Sequence, residues 1–169
     1  LKHPLATLGL ARGALLSATR QLDRRVLRGL KPAPGLGPIR ERILAAKVGD
    51  DTRREMADLV DRLEAACAPL AAAMTGGATP LALLDATATA AEAIAGGDAL
   101  WSGDAGEALA DALARLREAW AANPPIAGAE WPALLDALIE PEIVRPSYGR
   151  HPRLAIWGPL EARLQRADL

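Results

Sequence analysis

Three arginines, Arg20, Arg24 and Arg28, recur at intervals of four. In an α-helix that spacing stacks them on one face. A row of guanidinium groups carries fixed positive charge and many N–H donors, so its chemistry is recognition of phosphate or carboxylate oxygens. Arg25 and Lys31 lie close to the row in sequence. Such a row suits a phosphate backbone. A solvated helix face is the simpler reading of such a row, and sequence alone favours it. No aromatic residue is interleaved with these arginines, which argues against a platform for stacked single-strand bases.

Bond-making chemistry has few candidates. The two histidines, His3 and His151, each precede a proline and read as extended or turn sites. Two histidines cannot build a histidine metal cluster, and no Ser/His/Asp set is suggested. Cys67 is the sole cysteine, which excludes an intrachain disulfide and a cysteine metal site. It sits on an apolar helical face and reads as a small buried hydrophobe rather than a nucleophile. Neither a Gly-x-x-x-x-Gly-Lys-Ser/Thr loop nor Gly-x-Gly-x-x-Gly occurs; "GLGP" at 35–38 has proline where a helix-entry amide is needed. No residue is therefore assigned as catalytic or metal-binding, and no cofactor is expected in this chain. Trp101, Trp120, Trp131 and Trp157 are the large side chains of a sequence without Phe, and are expected to fill its core.

The elements that must position these residues are helices. Ala, Leu, Arg and Glu dominate, and β-branched residues are few. The first helix is expected at about 11–30, with Leu15, Leu22, Val26 and Leu30 facing a core. "KPAPGLGP" breaks it, and a short helix follows at about 39–48. The next starts near Asp51 or Thr52, with Thr52 and Glu55 at capping-box spacing. Met56, Leu59, Val60, Leu63, Cys67, Leu70 and Met74 mark its apolar face, and Pro69 is expected to kink or split it. Thr79 and Pro80 read as N-cap and first helical position of a helix ending before Gly96. Asp104 and Glu107 repeat the capping-box spacing before Leu109, Leu113, Leu116 and Trp120. A shorter helix covers about 132–139.

Charge divides the chain. Residues 1–48 hold ten Lys/Arg against Asp23 and Glu41, whereas residues 63–140 hold Arg115 and Arg117 against eleven acids. The overall charge of -1 hides this asymmetry. The basic part suits phosphate or an acidic partner, while the acidic part suits solvent or a protein. No apolar run reaches the roughly 20 residues that span a bilayer. No signal peptide is recognised at the first residues, and a cytoplasmic location is expected. The absence of an initiator Met suggests a piece of a longer protein.

After 145 the character changes. "RLAIW" at 153–157 reads as a strand, followed by a Gly-Pro turn and a helix at about 159–166. The stretch "RLAIWGPLEARLQRADL" closely resembles a segment of the AddB family, the helicase-like nuclease subunits of bacterial AddAB-type double-strand-break repair enzymes. "LKHPLATLGL" at the N-terminus resembles another segment of that family, and the match is nearest the alphaproteobacterial type. Together the two segments cover about thirty residues.

The resemblance implies a mainly α, multi-helix accessory domain of the 2B type over 1–145. Residues 146–169 would be a strand–turn–helix returning to a superfamily 1 helicase-like core. It implies a non-catalytic part of an ATP-dependent helicase and exonuclease subunit, one that binds or guides DNA ends or forks and packs on an AddA-type helicase-nuclease subunit. Arg20, Arg24 and Arg28 become candidate DNA contacts. Leu160 and Glu161 match a degenerate helicase motif V, but Gly158-Pro159 stand where the motif has Lys-Gly, and Ala155 stands near its His. ATP, Mg2+ and an iron–sulfur cluster are implied only for the parent protein, outside this region. Two other readings remain: a helical protein–protein interaction domain whose arginines meet acidic residues of a partner subunit, and a helical ligand-binding regulator.

Overall fold

A computed structural model describes residues 1–144 and Arg163. The strand expected at 153–157, the helix expected at 159–166, Trp157, Leu160 and Glu161 all lie outside the described residues. Among the described residues the protein is mainly helical, with six α-helices: α1 (Arg12–Leu22), α2 (Gly37–Ala45), α3 (Asp50–Gly76), α4 (Pro80–Ala95), α5 (Gly103–Ala119) and α6 (Trp131–Ile139).

The longest helix, α3, organises the rest. Met56, Leu59, Val60 and, two turns after Leu59, Ala66 share one face and are buried. Asp50 and Asp51 occupy its first turn, where the helix dipole favours carboxylates. The expected capping box is not formed: Gly49 is the N-cap, with no side-chain cap, because the helix starts before Thr52. Pro69 does not end the helix, which continues to Gly76. Proline frees the carbonyl four residues earlier, and here Ala65 and Pro69 are both exposed, so water can satisfy it.

Helix α4 packs more extensively on α3 than any other element does. Its start follows the expectation. Thr79 is the N-cap and its Oγ1 accepts a hydrogen bond from the Ala82 amide at 3.2 Å, with Pro80 in the first helical position. Its end is set by Gly96 in the left-handed conformation (φ 86°). For α5 the expected Asp104–Glu107 box is displaced: Ser102 is the N-cap and makes no side-chain cap, since the helix begins one residue before Asp104.

The core has two parts. The first gathers Leu8, Leu15, Leu22, Val26, Ile43, Met56, Leu59 and Val60 from the N-terminal segment, α1 and the turn that follows it, α2 and the first half of α3. The second gathers Leu83, Leu84, Ala88, Leu113 and Trp131 from α4, α5 and α6, with Leu70 and Met74 of α3 against them. Full burial of each such Leu or Met contributes about 1.5–3 kcal/mol. Cys67, on the same helix face, is only half-buried.

The tryptophans behave as expected where they are described. Trp131 is buried, and its Nε1 donates to Thr87 Oγ1 at 2.9 Å. Trp120 meets it edge to face with centroids 5.9 Å apart. Trp101 packs on the same core and donates to Glu92 Oε1 at 2.9 Å.

Candidate nucleic-acid interface

The arginine row departs from the single helix expected at 11–30. Helix α1 ends at Leu22, and Asp23–Leu27 form one π-helical turn closed by the Arg28 amide donating to the Asp23 carbonyl at 3.1 Å. Arg28 is then extended and Gly29 takes φ 105°, turning the chain away. Arg20 therefore lies on α1, Arg24 and Arg25 on the π turn, and Arg28 beyond it. Leu15, Leu22 and Val26 are buried as expected, whereas Leu30 is 87% exposed because the chain leaves the helix before reaching it.

This turn is held from outside. Arg42 Nη1 of α2 donates to the carbonyls of Leu30 at 2.7 Å and Val26 at 3.3 Å. The Val26 carbonyl is one that loses its helical partner where the helical turn ends, and the Leu30 carbonyl belongs to the segment that leaves it. The guanidinium fixes the backbone that carries the basic side chains.

The structure also sorts the ten cations of residues 1–48. Arg12 is structural: its guanidinium donates to the carbonyls of Lys2, His3 and Ala6, at 3.0, 2.8 and 3.2 Å. Arg40 is tied to Asp61 and Glu64 of α3. Those two hydrogen bonds, Asp61 first, raise its pKa above the ordinary arginine value. Lys2 and Arg28 share the Asp23 carboxylate at 3.4 and 4.0 Å, both pairs well exposed. Arg20, Arg24, Arg25 and Lys31 are exposed and have no carboxylate partner among the described residues. Lys47 is also exposed without a carboxylate partner among the described residues but stands apart in the chain, so most of the free positive charge falls in residues 20–31. Spacing gave no sign of which arginines would turn inward to carbonyls.

The acidic half is sorted in the opposite sense. Its two cations are both paired, Arg115 with Glu142 at 2.5 Å and Arg117 with Asp85 at 2.8 Å. Asp98, Glu107, Asp111, Glu118, Glu130, Asp136 and Glu140 are all exposed. A polyanion is attracted to one part of this molecule and repelled by the other.

Among the described residues, no group of three or more His, Cys, Asp or Glu side chains could hold a metal ion. No helix among them is long and apolar enough to cross a membrane. No family model matches the chain, and neither a curated protein nor a solved structure shows significant similarity to it.

Proposed function

We propose that this chain is a non-catalytic helical part of an AddB-type subunit in DNA double-strand-break repair, and that it binds or guides DNA at ends or forks. The observation that carries the reading is the cluster of exposed cations, Arg20, Arg24, Arg25 and Lys31, without carboxylate partners among the described residues. The resemblance of "LKHPLATLGL" and "RLAIWGPLEARLQRADL" to that family supplies the repair context. Under this reading the row contacts phosphates, while ATP, Mg2+ and any iron–sulfur cluster belong to other parts of the parent protein. An AddA-type subunit would be its protein partner, in the cytoplasm.

A salt series with fluorescent forked DNA tests this. The native chain should bind at low salt. Changing Arg20, Arg24 and Arg28 together to Ala should weaken binding and reduce the slope of log K against log salt by about one unit for each phosphate no longer neutralised. Absence of binding by the native chain even at low salt would sink the reading.

A second reading has its own observation. Leu27 and Leu30 are exposed amid the same cations. Apolar anchors beside arginine suit a protein surface with acidic residues. Docking of a partner subunit would then leave DNA binding absent, and the Arg triple variant would lose the partner instead.

A further inference from the structure

Leu30 is the most exposed large apolar side chain among the described residues, at 87%. Its backbone, by contrast, is held. The Leu30 carbonyl accepts from Arg42 Nη1 at 2.7 Å, and the same nitrogen reaches the Val26 carbonyl at 3.3 Å. Val26, four residues earlier, is buried in the first core. Gly29, with φ 105°, turns the chain outward between these anchors. Pro32 follows and confines Lys31 to extended conformations. Leu30 is thus presented from a fixed turn rather than carried on a loose end.

Its neighbours select the kind of surface it meets. Arg24, Arg25, Arg28 and Lys31 are all exposed. The only carboxylate in residues 20–31 is Asp23, shared between Lys2 and Arg28. Arg42 adds a guanidinium at the base of the turn, engaged by carbonyls rather than by a carboxylate. An apolar tip flanked by cations suits a polyanion that also offers an apolar face.

DNA offers both together: phosphates outside, and the flat face of a base pair wherever stacking is interrupted. Leucine serves other DNA-binding proteins as a wedge against base steps. An anionic bilayer offers the same two features, but binding there scales with buried apolar area. Here the apolar tip is Leu30 with the less exposed Leu27, on a turn rather than along an amphipathic helix. So small an area suits one base pair better than an acyl layer.

We propose that Leu30 is an apolar wedge that seats between the last base pair and the first unpaired base of a DNA fork, with the flanking cations on the phosphates to either side. Resting on the DNA reading above, it names the feature bound: a break in base stacking rather than duplex in general.

The test uses the full chain, a forked DNA carrying 2-aminopurine at its first unpaired position, and a duplex of equal length closed at both ends by hairpin loops. Stacking quenches 2-aminopurine, so insertion of Leu30 should brighten it. The native chain should prefer the fork, and Leu30→Ala should weaken fork binding by about tenfold. Its salt slope should stay native, because no phosphate contact is lost. At saturation Leu30→Ala should bind the fork without brightening it, and Leu30→Met, which restores the apolar volume, should recover both affinity and brightening. Far-UV circular dichroism should stay native in both variants, since the side chain is exposed. Absence of brightening with the native chain, or brightening that persists in Leu30→Ala, overturns the wedge. The DNA reading then stands or falls separately, on the salt slope of the Arg20, Arg24 and Arg28 variant. No DNA binding by the native chain at low salt overturns both. Binding to phosphatidylserine vesicles that Leu30→Ala abolishes, with fork affinity unchanged, would assign the turn to a membrane surface instead.

Discussion

At the scale of the residue, small differences in position decide large differences in cost. Gly128 lies against the end of α3 so closely that a Cβ there would come within 2.0 Å of the Met74 carbonyl oxygen. That neighbour is backbone and cannot rotate aside. Gly128→Ala should therefore destabilise the protein by about 2 kcal/mol or more in chemical denaturation, in the range of overpacked cores. Gly13, in the first turn of α1, has nothing within 4 Å of its added Cβ and is the contrasting case. Gly13→Ala should stabilise by about 0.5 kcal/mol through reduced freedom of the unfolded chain. Arg40 sets a different expectation. Hydrogen bonds to Asp61 and then Glu64 raise its pKa, so its contribution is complete below the unfolded arginine range and fades only as pH rises through the folded value. The melting difference between native and Arg40→Met chains should stay constant from neutral to mildly alkaline pH.

At the scale of the element, the local signals that could be read were those with a single physical meaning. Thr79-Pro80 admits one reading, a cap followed by a residue that needs no amide partner, and the helix starts there. Thr79→Ala should cost about 1 kcal/mol in thermal or urea unfolding, the usual loss for an N-cap hydroxyl. The signals that misled had two solutions. Thr52–Glu55 has capping-box spacing, but Asp50 and Asp51 let α3 begin earlier. Leu30 continues the apolar spacing of Leu22 and Val26, yet the π turn and Gly29 end the helix first. The candidate site was legible as a cluster of cations but not as a shape. The i,i+4 pattern that placed Arg20, Arg24 and Arg28 on one face assumes an unbroken α-helix. What replaces it depends on Arg42, eighteen residues after Arg24 in the chain, reaching the Val26 and Leu30 carbonyls. No local pattern encodes that tertiary contact.

At the scale of the whole molecule, charge and packing divide the chain differently. The basic and acidic stretches were visible by counting, and the structure sharpens both by pairing the two cations of the acidic half. The two cores were not visible, because one amphipathic face of α3 serves both: Met56, Leu59 and Val60 in the first, Leu70 and Met74 in the second. A helix that runs unbroken through Pro69 couples them mechanically. The N-terminal segment adds a second tie, since the amides of Thr7 and Leu8 donate to the Ile94 carbonyl of α4 at 2.8 and 3.0 Å. These ties argue for one cooperative unfolding unit. Tryptophan offers a direct check in a Trp157→Phe background, because the other three, Trp101, Trp120 and Trp131, all belong to the second core. Met56→Ala lies in the first core and should cost about 2–5 kcal/mol, as for other buried large-to-small changes. In a urea titration of that variant, tryptophan fluorescence and far-UV circular dichroism should move to the same lower midpoint. A fluorescence midpoint left at the native value, with only part of the helical signal lost early, would mean that the two cores unfold separately and that α3 breaks at Pro69 under load.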